Sequence, residues 1–439
     1  MTDYETVDFY TETDPDFLAD AHGYFEYLRR KGPVARLPHR NTVVVTGFEE
    51  RVQVMLDPEH FSSFTTITGP MTELPFMPEG DDISAELDAA RAKLPLSNNM
   101  LTTDGDRHSD LRSILAVLFT PSRTKLIEPL LVQTAEALIE EFIHDGKVDV
   151  VRQFGAPYAA LVIADLFGLS PKERQRIRRL AGGAGSPIEG KSAEEQMNES
   201  FTSLGKAMFS LIARSRLKHS VPVRLVRSAL GMDIRPDILG ELATARFPDG
   251  SKPSLADVAI LATVLFGAGL DTANRLLANA MRLLAERPDL QDELRADPSR
   301  IPAFVEEMLR YEGSVKSASR ICARTTELGG VEIKAGTNVT IAHIAANRDP
   351  RRFENPADFN MDRARAKEHL GFGRGTHTCP GAQLARAEVR IGIERLLARL
   401  GRFGLSDADH GAEGARRFDY DPSYLLMALS NLHLEFEPA

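Results

Sequence analysis

Over most of this chain apolar residues recur three and four positions apart, as in "TKLIEPLLVQTAEALIEEFIHDG" and "ANRLLANAMRLLAERPDLQDELRAD". That spacing lines one face of an α-helix with groups that must be buried. Strand-like runs are few and short: "NTVVVTGF" near the start, "GGVEIKAGTNVTIA" in the middle and "NLHLEFE" at the end. The pattern predicts a mainly α fold with small β-sheets. At 439 residues, 43% of them hydrophobic, the chain can bury a large core. It contains no repeat, low-complexity tract or Gly/Ser linker, which predicts a single domain over residues 1–439. Two stretches break the helical regularity, "FTTITGPMTELPFMPEGDD" from Phe64 and "AGGAGSPIEGKSAEEQMNES" from Ala181, and both are expected to be mobile lids.

The charge balance excludes several functions. With 63 acidic against 53 basic residues, a net charge of -10 argues against a nucleic-acid partner. Only two cysteines occur, Cys322 and Cys379, too few for a disulfide framework or a four-thiolate metal site. A reducing cytoplasm is expected. The N-terminal stretch is acidic and lacks a basic-then-apolar leader. The longest apolar run, "VAILATVLFGAGL" from Val258, stops at Asp271, short of the about 20 residues a membrane span requires, so no membrane anchor is expected.

The stretch "HLGFGRGTHTCPGAQLARAE", His369 to Glu388, places Gly371, Gly373 and Gly375 before Cys379 and then turns helical. Glycines let a backbone adopt conformations closed to other residues and approach a flat object. A helix start directly after the cysteine offers free amides and a dipole that stabilise a thiolate. A buried structural cysteine would not need that setting.

The string "FGRGTHTCPG" resembles the haem-ligand signature of the cytochrome P-450 family, and of its soluble bacterial type in particular. The resemblance implies haem b, lying between a long central helix and the cysteine-loop helix, with Cys379 as the iron's axial thiolate. Phe372, His377 and Gly381 match further cofactor-binding positions. "AGLDTANRL" resembles the oxygen-binding segment of the central helix: Ala268 would lie over the haem, and Asp271 and Thr272 would form the acid–alcohol pair that handles protons. Gly267 and Gly269 would each cost about 1 kcal/mol in an ordinary helix interior, so the space must be needed. "DRHSDLR" puts His108 and Arg112 on one helix face, and with Arg320 they match propionate contacts. Glu307 and Arg310 of "EEMLR", with Arg363, match the family's buried Glu-Arg-Arg network. Glu-x-x-Arg alone is weak, since it recurs at Glu26, Glu173 and Glu413; its place upstream of the cysteine loop singles out Glu307.

What the resemblance implies is dioxygen activation with two electrons and two protons, and hydroxylation of a hydrophobic terpenoid, steroid, fatty acid or polyketide. The electrons would come from a separate ferredoxin and its NAD(P)H-dependent reductase, drawn to the cysteine side by Arg107, Arg374 and Arg386. A peroxygenase, an isomerase or a non-catalytic haem sensor is the alternative. By position the substrate pocket would be lined by Phe76, Met77, Leu94, Leu96 and Met100, by Val264 and Gly267, by Val315, Lys316 and Ala318, and by Leu425 and Leu426. Lys316 is the odd cation in that wall and could select an acidic substrate or point away. Pro380 replaces the usual aliphatic residue after the cysteine, removing one amide that would otherwise face the sulfur.

Overall fold

The computed structural model describes residues 4, 17–18, 20–37, 40–67, 69, 73–91, 93, 98–116, 118–182, 193–218 and 237–438. Six helices position the site: α1 Gly105–Ala116, α2 Pro121–Ile139, α3 Ala156–Leu166, α4 Leu255–Glu286, α5 Ile301–Tyr311 and α6 Ala382–Arg399. The strands are β1 Val34–Arg36, β2 Thr42–Val45, β3 Phe61–Ser62, β4 Lys147–Asp149, β5 Ser317–Cys322, β6 Thr326–Leu328, β7 Val331–Ile333, β8 Asn338–Ala342, β9 Leu400–Leu405 and β10 His433–Pro438. They form a mixed sheet in the order β1-β2-β8-β5-β3, a sheet β4-β10-β9 and the hairpin β6-β7. Among the described strands, only β2 and β8 run parallel, with Val44 opposite Thr340.

Helix α4 is the axis of the helical layer. A capping box starts it: the Asp257 amide donates to Ser254 Oγ at 3.0 Å and the Ser254 amide to Asp257 Oδ2 at 3.3 Å. It then runs 32 residues, straight through Asp271, so the apolar run's apparent end is not the helix's end. By length and composition alone α4 could cross a membrane. Its apolar residues are instead spent on neighbours: Leu277, Met281 and Leu284 pack with Phe154, Phe304, Met308 and Leu396 in the largest core cluster. Leu261 and Phe266 pack with Leu111, Leu115, Ile163 and Phe167 in a second.

The expected strand runs narrow to β2, to β7 plus β8, and to β10. Strand β5 carries no alternation to announce it, because both its faces are covered. The first expected lid begins as ordered structure: Phe64 and Thr65 lie in a buried 3₁₀ turn, Ser63–Thr65, next to β3. Part of the second is also corrected, since "AEEQMNES" belongs to the helix Ala193–Lys218, while residues 183–192 lie outside the described residues.

Candidate haem-thiolate site

The cysteine loop closes on itself through the Cys379 amide, which donates to Phe372 O at 2.8 Å. Gly373 (φ 71°) and Gly375 (φ 74°) are in the left-handed region that disfavours other residues. Gly371 is there for another reason: a Cβ would come within 3.1 Å of Leu309 O and 3.2 Å of His369 Nδ1. Helix α6 begins at Ala382 with Gly381 as its N-cap, so Pro380 precedes the helix and does not occupy its first turn. Burial raises the Cys379 thiol's pKa and outweighs the Gly381 amide directed at the sulfur, Arg112 and Arg386, which pull it down. The Gly381 amide still faces the sulfur beyond Pro380, which has no N–H of its own.

Around this loop stand the expected carboxylate-binding groups. Arg112 on α1 donates to Thr378 O. His108, one turn earlier, is buried, its Nε2 has no hydrogen-bond partner, and its ring centroid is 4.3 Å from that of His377. Burial first, then the charges of His377 and Arg112, hold His108 down at about 4, so it is neutral. Arg320 on β5 is buried and donates to Thr66 Oγ1 and Ser319 O, both at 2.8 Å. His377 Nε2 lies 2.9 Å from Ser63 Oγ and 3.2 Å from Asp104 Oδ1. Burial raises the Asp104 pKa, but hydrogen bonds from His377 and the Ser63 amide outweigh it and leave the carboxylate ionised.

The Glu-Arg-Arg network is assembled in full. Glu307 Oε1 and Oε2 accept from Arg310 Nη2 at 2.7 Å and Nε at 2.9 Å, and Oε1 also accepts from Arg363 Nε and the Asn360 amide at 3.0 Å. Both members of the first pair are wholly buried. Remaining guanidinium protons go to Asn347 O, Pro356 O and Asp358 O, which ties α5 to the irregular segment before the cysteine loop.

Helix α4 is buried along most of its length, yet Ala268 is exposed and Gly267, Asp271 and Thr272 are half-buried. The two glycines serve different ends. A Cβ on Gly269 would meet Ile163 of α3 at 3.0 Å, whereas one on Gly267 meets nothing within 4 Å. Thr272 Oγ1 donates to Ala268 O at 2.9 Å. Asp271 accepts from Arg275 Nε at 2.9 Å, and Arg275 continues to Asp421 at 2.7 Å and to Leu429 O. Arg275 is a residue the motif reading missed, although its i,i+4 spacing from Asp271 was in plain view. Glu388 was missed as well; it follows Leu384 and Ala387 on the buried stripe of α6, where a carboxylate is out of pattern.

The substrate wall is brought together in part. Val315 pairs with Leu426, the Lys316 amide donates to Leu425 O at 2.7 Å, and the Met427 amide donates to Ser314 O at 2.9 Å. Val315, Ala318, Leu425 and Leu426 keep part of their surface accessible. Met100 and Val264 are buried, Met100 within the second core cluster, rather than presented from a wall. Phe76 is half-buried beside Ile83 and Leu87, and Met77 is 82% exposed at the surface. Leu94 and Leu96 lie outside the described residues. Lys316 turns away from the wall: its Nζ donates to Ser423 O at 2.6 Å and lies 4.6 Å from the Phe17 ring centroid. Among the three arginines expected to attract a partner, Arg107 is engaged by Asp257 and Arg386 by Glu306, while Arg374 is exposed.

A buried thiol faced by an amide and two arginine charges, a buried unpartnered imidazole nitrogen, buried guanidinium groups and an open helix face at Gly267 fit an iron porphyrin with two carboxylates. They define a haem-thiolate protein. The cytochrome P450 family model matches residues 201–403. The chain is 32% identical over 390 residues to the cytochrome P450 monooxygenase PikC of Streptomyces venezuelae, covering 88% of this chain and 85% of that one. It is 28% identical over 401 residues to the 6-deoxyerythronolide B hydroxylase of Saccharopolyspora erythraea, covering 90% and 92%. The solved structure of the Mycobacterium marinum cytochrome P450 CYP150A6 in its substrate-free form superposes with a TM-score of 0.87 at 41% identity, covering 99% of this chain and all of that one. The chain belongs to the cytochrome P450 family of monooxygenases, whose cofactor is haem.

Proposed function

We propose that this protein, acting as one domain in the cytoplasm, hydroxylates a hydrophobic small molecule of the terpenoid, steroid, fatty acid or polyketide classes. It uses dioxygen and electrons from a separate ferredoxin with its NAD(P)H-dependent reductase. The observation that carries the reading is the Cys379 sulfur, faced by the Gly381 amide and the charges of Arg112 and Arg386. Cys379 would hold haem b by its iron, and His108, Arg112, Arg320 and His377 would hold its carboxylates. The bound haem supplies the oxygen chemistry. The chain's own residues orient, exclude water and handle protons. Thr272 keeps its hydroxyl proton on Ala268 O, a weak local bond from which it can turn to donate elsewhere. Asp271, tethered by Arg275, is half-exposed and so can exchange protons with solvent. The apolar Val315, Ala318, Leu425 and Leu426 favour a hydrophobic guest, and a relative that hydroxylates 6-deoxyerythronolide B supports that class.

The test is oxygen-dependent, NADPH-driven product formation with surrogate redox partners and a ligand library. Cys379→Ser is expected to abolish turnover and the thiolate signature of the reduced carbon-monoxide complex. Thr272→Ala is expected to keep haem and ligand binding while diverting most reducing equivalents to hydrogen peroxide. Product from peroxide alone, with none from NADPH and dioxygen, would sink the monooxygenase assignment in favour of a peroxygenase.

A further inference from the structure

Arg51 sits on the short helix Phe48–Leu56 and is wholly buried, the rarest placement for an arginine. One of its nitrogens, Nη2, donates to Leu370 O at 2.9 Å, while Nε and Nη1 are buried without a hydrogen-bond partner. The charges that act on it are both positive, Arg320 and Arg374. His343, also beside it, is held neutral by burial and by Arg51 itself, and its Nδ1 is taken up by Ile341 O at 3.0 Å. No carboxylate balances the group among the described residues. A buried guanidinium left so costs several kcal/mol, whereas an apolar side chain at the same position would pack as Val54 and Met55 do. Among the described residues, this cation is left without a counter-charge.

The location says which anion. Leu370 directly precedes the cysteine loop, and Gly375 of that loop is so close to the same helix that a Cβ would lie 2.7 Å from Met55 O. Arg320, the other neighbour, stands on β5 and is one of the residues proposed above to hold a haem carboxylate. Resting on the haem-thiolate reading, we propose that Arg51 is a further residue of the cofactor's carboxylate cradle, a buried counter-ion to the propionate beside Arg320. It acts by charge through the low-dielectric interior rather than by direct contact, since its free N–H groups face no open space.

The experiment compares ferric haem transfer from holoenzyme to an excess of apo-globin, for protein loaded with haem and with haem dimethyl ester, which lacks the carboxylate charges. With haem, Arg51→Met is expected to speed loss by about tenfold or more, the scale of a lost buried charge partner. With the ester it should change the rate less than about twofold. The haem-loaded variant should also show a lowered ferric/ferrous midpoint potential, since a positive charge near the iron has gone. Arg51→Lys keeps the charge and should stay near wild type with haem, which preserves the test if the methionine variant does not fold. Equal acceleration with haem and ester, or no acceleration with haem, would overturn the proposal and leave the family reading intact. A wild-type protein that takes up no haem would overturn both.

Discussion

Two buried glutamates flank the cysteine loop and are treated in opposite ways. Glu307 on α5 is wholly buried and receives two arginines and a backbone amide, so its charge is fully matched. Glu388 on α6 is just as enclosed but has no cation: its Oε1 is unpartnered, and so are Tyr158 Oη and Asn274 Oδ1, which line the same small chamber. Burial alone pushes its carboxyl up to about 8. The first arrangement locks chain segments together; the second keeps a neutral acid between α3, α4 and α6. Burial by itself therefore says nothing about whether a carboxylate is charged. Its partners decide.

Breaking the matched site should have the larger effect. Glu307→Ala leaves the buried Arg310 guanidinium without its carboxylate and is expected to cost about 3–5 kcal/mol, read by denaturant unfolding of the holoenzyme. A loss below about 1 kcal/mol would mean the network is not a stabilising knot.

Glu388→Gln tests the unmatched site through pH. A carboxyl raised from 4.5 to about 8 binds its proton more tightly when folded, so its contribution is neutral below 4.5 and turns unfavourable as pH rises toward 8. The slope is at most about 1.4 kcal/mol per pH unit. The glutamine variant should lose that decline and be relatively stabilised at pH 8 compared with pH 5. Parallel stability curves for variant and wild type over that window would show that Glu388 is ionised throughout.

A third buried charge gives the smallest expected effect. Lys316→Met removes the bond to Ser423 O and the contact with Phe17, and about 1–2 kcal/mol of stability should go with them. Relative affinities for acidic and neutral ligands should not change, because the ammonium is turned from the wall. A selective loss for acidic ligands in a spectral titration would put Lys316 back in the pocket.

The motifs that were legible in the sequence are those whose chemistry is local. The cysteine loop has its glycines, its thiol and its helix start within one stretch, and Glu307 and Arg310 are spaced to meet on one helix turn; Asp271 and Arg275 are spaced as closely, yet Arg275 was missed. The substrate wall was less legible: Val315 meets Leu426 only because the C-terminal hairpin folds back onto the segment before β5, a pairing that no local period encodes.

The sequence by itself determined the mainly helical architecture, through apolar residues recurring at the helical period, and the haem-thiolate chemistry, through residue types packed into one short loop. Only the tertiary structure decided which side chains are charged, matched or turned away. The sequence marks neither Arg51 as buried nor Glu388 as neutral, and leaves open whether Lys316 faces the pocket or points away. Their states follow from desolvation and from partners more than a hundred residues distant, and those quantities exist only once the chain is folded.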